Sequence, residues 1–266
     1  LKNKENEEKM RISILGSGSS GNSIFIETNG VKFLIDAGFS GKRMEEKLVS
    51  IGEKIENIRA ILITHEHGDH ISGAGILSRK YGIPIYITEE SYEICSNKIG
   101  KVEKYNLNFI EKEFFIEDTK IIPFDVMHDA TRTIGFRIEA SNGKKIAVAT
   151  DIGYIDNIVR NEFQNVDIMV IETNYDYNML MKCSYPWDLK ARVKGKNGHL
   201  SNNDAARFIK EMYHENLKKV YLVHVSKDSN SYELAFDTVE EELRRCGHKI
   251  EIEISYQDIP TKIYEI

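Results

Sequence analysis

Ile61-Leu-Ile-Thr-His65-Glu-His67-Gly-Asp69-His70 sets an apolar, β-branched run directly against a turn that carries three histidines and an aspartate within six positions. The run has the composition and length of a buried strand. Gly68 permits backbone angles in the turn that a side chain would resist. Imidazole and carboxylate groups of this kind suit zinc, manganese or iron. In α/β proteins chemistry collects where strands run out, so strand ends are the places to look for further ligands. His128 ends IIPFDVM, Asp151 follows KKIAVAT and His224 follows KVYLV. With His65, His67, Asp69 and His70 they make a candidate set of seven metal ligands.

On either side of this stretch the chain alternates strands with helices. RISILG, SIFIETN and VKFLID read as strands, and Asn29-Gly30 suits a type I′ hairpin turn between the last two. A helix with Met44, Leu48 and Ile51 on one face ends at Gly52. Helices are expected over 69–81 and 89–99, followed by strands through residue 126. TIGFRIEA turns at Asn142-Gly143 and returns as KKIAVATD. Helix 155–163, strand DIMVIET, a looser stretch over 176–198 and helix 201–214 follow, with Ser201 and Asp204 as a capping box. Strand KKVYLVH, helix 231–246 and strand KIEIEI finish the chain.

IFIETNGVKFLIDAG and GFRIEASNGKKIAVATDIG share one plan of strand, Asn-Gly turn, strand, Asp and then Gly, which puts Asp36 and Asp151 at matching places. The reading is one domain over residues 11–266, made of two similar β-rich halves packed face to face with helices outside. That is an α/β, four-layer αββα sandwich. Residues 1–10 are expected to form a charged tail.

The 266 residues are 41% hydrophobic and 29% charged, in the range of ordinary globular domains. No apolar run approaches the ~20 residues of a membrane-spanning helix. Three scattered cysteines, Cys95, Cys183 and Cys246, fit reduced thiols better than a disulfide framework. The expectation is a cytoplasmic protein with no membrane contact and no obligate protein partner. A net charge of −6 requires any nucleic-acid partner to find a local basic patch. Gly16-Ser-Gly18-Ser-Ser-Gly21 spells a dinucleotide fingerprint, but a β-pattern follows where the fingerprint needs a helix. A tight loop at the rim of the site is the better reading.

His-x-His-x-Asp-His at 65–70, with Asp36, His128, Asp151 and His224 in order, resembles the metallo-β-lactamase superfamily. The resemblance implies two metal ions, zinc or manganese. One is held by His65, His67 and His128, the other by Asp69, His70 and His224, and Asp151 bridges them. Asp36 is implied to orient the turn from behind. Such a pair of metals lowers the pKa of a bridging water, making it a nucleophile near neutral pH, and Asp69 can orient that water or take its proton.

Three features favour phosphodiesters as substrate. His199 stands two residues before a capped helix whose N-terminus welcomes an anion, and it can protonate a leaving alkoxide. Lys182, Lys190, Arg192, Lys194 and Lys196 face a single acid, Asp188, in the stretch leading to it. Of these, Lys190, Arg192 and Lys194 are the candidate phosphate contacts. GHLSNNDAARFI…VYLVHVS is also similar to ribonuclease Z. Over Arg11 to Glu265 the motifs GSGSSGNS, LIDAGFSGKRMEEKL, ILITHEHGDHISG, ATDIGYI, IETNYD, YPWDLKARVKGKNGHLSN and HVSKDSN resemble the YycJ (WalJ) family. That implies a bacterial 5′-to-3′ exonuclease acting on DNA, with RNA not excluded and a link to DNA repair. Two other classes stay open: a small-molecule hydrolase such as a cyclic phosphodiesterase or lactonase, and a non-catalytic nucleic-acid-binding or regulatory protein.

Overall fold

The computed structural model describes residues 9–266. Residues 1–8, most of the expected tail, lie outside the described residues. Met10, assigned to that tail from its sequence, is instead a fully buried strand residue paired with Thr28.

The chain begins β1 (Met10–Gly16), β2 (Ser23–Thr28), β3 (Val31–Ile35), α1 (Gly41–Ser50), β4 (Ile58–Leu62), α2 (Gly68–Ile71), α3 (Ala74–Tyr81), β5 (Ile85–Ile87), α4 (Glu89–Ile99) and β6 (Leu107–Phe109). It continues β7 (Phe114–Ile116), β8 (Thr119–Val126), β9 (Thr133–Glu139), β10 (Lys145–Ala149), α5 (Asn157–Phe163) and β11 (Ile168–Glu172). It ends α6 (Tyr177–Lys182), α7 (Trp187–Val193), α8 (Asn202–Glu211), β12 (Lys219–Val223), α9 (Tyr232–Arg245), β13 (Glu251–Ile254) and β14 (Tyr264–Glu265).

Two sheets form, in the orders β14-β1-β2-β3-β4-β5-β6 and β13-β12-β11-β10-β9-β8-β7. They share one pairing scheme. β1-β2-β3 and β8-β9-β10 are antiparallel, and β3-β4-β5-β6 and β10-β11-β12-β13 are parallel. The period of two along each strand decides the layering. Phe33, Leu62, Val148 and Val170 face the core between the sheets, while their neighbours Leu34, Ile61, Ala149 and Met169 face the helices. α1, α3 and α4 cover the first sheet and α5, α8 and α9 the second, which gives the expected αββα order.

Four local details go beyond the pattern of the sequence. The 69–81 helix breaks at Ser72-Gly73, because the Gly73 N–H bonds to Ala37 O across the turn. The Asn29-Gly30 turn has both residues at positive φ, as type I′ needs, whereas at 142–143 only Gly143 does. The stretch 176–198 holds two short helices, α6 and α7. β14 is too short and isolated to show a strand pattern, yet it pairs with β1. Because β3 and β4 run parallel, as do β10, β11 and β12, their C-terminal ends bring the 36, 64–70, 151, 172 and 224 segments to one edge of the sandwich.

Candidate metal centre

The first ligand cluster grows from the end of β4. His65, His67 and His128 bring one ring nitrogen each within 4.8 Å of one another. His65 Nε2 and His67 Nδ1 face each other at 3.0 Å. His128 Nδ1 lies 3.0 Å from Gly198 O, so that nitrogen donates and Nε2 is left bare. A second cluster joins His65, His70 and Asp151, all fully or almost fully buried. A third joins Asp151, Glu172, His199 and His224. Asp69 stands beside the second: its Oδ2 is 3.4 Å from His70 Nε2 and accepts from Asn22 Nδ2 at 3.0 Å.

Asp36 sets the tautomers from behind. Its φ of 61° turns the chain so that the carboxylate accepts the Thr64 N–H at 2.8 Å and the Thr64 hydroxyl at 2.9 Å, and receives His70 Nδ1–H at 2.7 Å. The same hydroxyl lies 2.9 Å from His65 Nδ1. One carboxylate thus takes the Nδ1 side of two imidazoles, directly or through Thr64, and turns Nε2 of each toward the other candidate ligands, the arrangement by which buried acids orient metal-bound histidines. The turn can fold this closely because residue 38 is glycine: a Cβ there would lie 1.6 Å from Asp69 O.

The glycine-serine loop after β1 is part of the same edge and begins no helix. Its Asn22 is buried and reaches Asp69 and His70, and its Ser17 Oγ accepts the His224 N–H at 2.9 Å. Glu66, inside the histidine motif, points away and accepts from Thr131 N and Ser91 Oγ.

Electrostatics agree with a cation site. Burial, then the nearby charge of His70, hold His65 well below the ordinary histidine range, so it stays in the neutral form a ligand needs. Burial would raise the Asp151 pKa, but His224, His70 and His128 outweigh it and keep the carboxylate ionised. Burial opposes protonation of His70, but Asp36 and Asp151 prevail and raise its pKa well above the usual range, so a proton and a metal ion compete for its Nε2. Buried carboxylates here demand positive charge. Asp151 Oδ2 is buried without a hydrogen-bond partner, 3.2 Å from His70 Nε2. A buried unpaired carboxylate oxygen is costly unless a cation meets it, so the donor set fits divalent metal.

Glu172 was missed in the sequence. It ends β11 at zero exposure, and its Oε1 receives His199 Nδ1 at 2.8 Å and His224 Nδ1 at 2.6 Å. Its Oε2 accepts from Ile152 N and Leu200 N. The signal was available: Glu172 is the end of an apolar strand, as Asp151 and His224 are. His199 stands between the metal edge and solvent, with its ring centroid 5.1 Å from His128 and 5.2 Å from His224. It lines a cavity of about 290 Å³ together with His224, Ser226 and Arg192.

The three cations proposed to meet phosphate separate. Lys190 is only 8% exposed, and its Nζ donates to Met181 O at 2.8 Å, which ties α7 to α6. Arg192 is exposed but ion-paired with Asp129. Lys194 is exposed and lies over the Trp187 ring. No described helix is long and apolar enough to cross a membrane.

A family model for the β-lactamase superfamily domain matches residues 32–225. The exodeoxyribonuclease WalJ of Streptococcus pneumoniae is 38% identical over 252 residues, 93% of each chain. The exodeoxyribonuclease YycJ of Bacillus anthracis is 34% identical over 261 residues, 96% of this chain and 98% of the other. Among solved structures, the metallo-β-lactamase fold protein YhfI of Bacillus subtilis superposes with a TM-score of 0.72 at 17% identity, covering 98% of this chain and all of that one. At that identity the likeness shows the fold alone, and it agrees with the two-sheet architecture. Identity above one third over more than nine-tenths of each chain, in a protein that gathers histidines and aspartates able to hold a metal ion at one sheet edge, makes this protein a metal-dependent hydrolase of the metallo-β-lactamase fold and a member of the WalJ/YycJ family.

Proposed function

We propose that the protein is a two-metal phosphodiesterase that removes nucleotides from DNA in the 5′-to-3′ direction, a chemistry suited to processing ends in repair. The observation that carries this reading is His199: Nδ1 is held by Glu172, the ring is flanked by His128 and His224, and the side chain is 22% exposed in the cavity. The full-length relatives named exodeoxyribonucleases support the nucleic-acid substrate.

In this reading His65, His67 and His128 would hold one divalent ion of the zinc or manganese kind. Asp69, His70 and His224 would hold the other, and Asp151 both. When bound, such ions lower the pKa of a water and neutralise charge on a phosphate. Asp69, more exposed than Asp151, would orient the attacking water and accept its proton. Glu172 fixes the His199 tautomer, so that Nε2 faces the cavity and delivers a proton to the departing 3′-oxygen. Burial opposes the His199 imidazolium, but the charge and hydrogen bond of Glu172 prevail and raise its pKa.

The test is metal-supplemented protein incubated with DNA labelled at either end, single- and double-stranded, beside RNA of the same sequence. The expected result is early release of the 5′ label as a mononucleotide while 3′-labelled strands shorten stepwise. Failure to cleave any DNA with either metal, or release beginning at the 3′ label, would overturn the proposal.

A further inference from the structure

Beside the metal edge two aromatic rings stand in solvent with a lysine over each. Trp187, at the start of α7, is 67% exposed, and Tyr154, three residues beyond Asp151, is 43% exposed. Lys194 Nζ lies 5.5 Å from the Trp187 centroid and Lys196 Nζ 5.1 Å from the Tyr154 centroid. Both segments are anchored to the site. Tyr154 bridges to Met127, the neighbour of His128, and the Gly153 N–H bonds Met127 O at 2.7 Å. A Cβ at Gly153 would lie 2.3 Å from Lys196 O, so this segment sits tightly against the one leading to His199. Arg192 of α7 pairs with Asp129, on the other side of His128.

Lys194, Lys196 and Tyr154 line one cavity of about 490 Å³ with Arg160 and Arg207. Glu211 and Asp204 pair with those arginines, so the two lysines supply the surplus positive charge. A protein of net charge −6 thus presents two pairs of exposed π-surface and ammonium, joined through the lysines that line this one cavity. Bases and phosphates alternate along an unpaired strand in the same way, and aromatic platforms with cationic flanks are how proteins hold such strands.

We propose that Trp187 and Tyr154 are stacking platforms for unpaired bases of the DNA substrate next to the cleaved linkage, with Lys194 and Lys196 on the flanking phosphates. The inference rests on the DNA-hydrolase reading and adds the form in which the strand is held. Trp187 is the chain's single tryptophan, so its emission reports directly on this surface. Metal-loaded protein is titrated with a short nuclease-resistant phosphorothioate single strand and, in parallel, with an abasic strand of the same length and charge. The expected result is quenching by the strand with bases and little by the abasic one. Trp187→Ala and Tyr154→Ala should each weaken binding by about 5- to 150-fold, measured by anisotropy of a labelled strand, while Tyr154→Phe retains it. Equal quenching by the two strands, or unchanged affinity in both alanine variants, overturns the inference. If DNA is still degraded in that case, the inference falls alone; if DNA is neither bound nor degraded, it falls together with the proposed function.

Discussion

Asp36 and Asp151 occupy equivalent places in the two sheets, each just after the last antiparallel strand, and they are surrounded in opposite ways. Asp36 is saturated: the Thr64 amide, the Thr64 hydroxyl and His70 all bond to it. Asp151 faces His70, His128 and His224 and keeps one buried oxygen without a hydrogen bond. One half therefore uses the strand-end carboxylate to brace imidazoles from behind, and the other presents it to the front. In the second half the bracing falls to Glu172, one strand further on, which is saturated in its turn. The number of donors around a buried carboxylate, more than its place in a motif, separates a brace from a ligand.

The largest expected effect breaks the front position. Asp151→Asn should reduce DNA hydrolysis by ~10⁴-fold or more, as loss of a central catalytic group does elsewhere, and lower metal content measured by elemental analysis. Chelation should abolish activity, with manganese or zinc restoring it. Full activity in metal-free protein would remove the reason for calling Asp151 a ligand.

His199 comes next. A proton donor matters most when the leaving group is poor, such as a nucleotide 3′-oxygen, and little for p-nitrophenolate. His199→Ala should depress DNA cleavage by ~10²–10⁴-fold and leave bis-p-nitrophenyl phosphate turnover nearly intact, with metal content unchanged. Equal losses on both substrates, accompanied by a lower Tm, would make His199 a structural residue.

The two braces should be weaker and distinguishable from each other. Asp36→Asn and Glu172→Gln are each expected to cost ~10–100-fold, the usual range for groups that orient metal-bound histidines. The Asp36 change should act equally on DNA and on bis-p-nitrophenyl phosphate, because it loosens His65 and His70 alone. The Glu172 change should act more strongly on DNA, because it also frees His199. The same profile for both variants would erase the distinction between the two halves.

What the sequence made legible follows the same division. Strand ends carrying His or Asp stood out, because those residues interrupt an apolar run conspicuously, and the seven proposed ligands do meet at one edge. Glu172 closes an apolar strand in the same way and was still passed over, because a glutamate there looks like ordinary solvent exposure until β10 and β12 are known to lie on either side of it. The αββα layering was readable from the repeated plan of strand, Asn-Gly turn, strand and Asp in the two halves. α6 and α7 were not, since helices of six and seven residues leave too few turns for a face to show. Nor can a count of lysines reveal which way each one points.

That last limit yields the smallest prediction and the finest division within one helix and its flank. Lys190 and Lys194 are one turn apart, yet one is buried against Met181 O and the other lies exposed over Trp187. Lys190→Ala should remove a charge-assisted bond of ~1.5–3 kcal/mol, lowering Tm and leaving the salt dependence of DNA binding unchanged. Lys194→Ala should barely alter Tm and should reduce the slope of log K against log salt by about 0.9 if its ammonium displaces one counterion, or about 0.7 if the strand there is single. Lys194→Arg keeps the charge and should keep the slope. The slopes are measured on uncleavable DNA across a salt series, with Tm from the same preparations. A slope change at Lys190, or none at Lys194, would reverse which of the two residues belongs to the fold and which to the substrate.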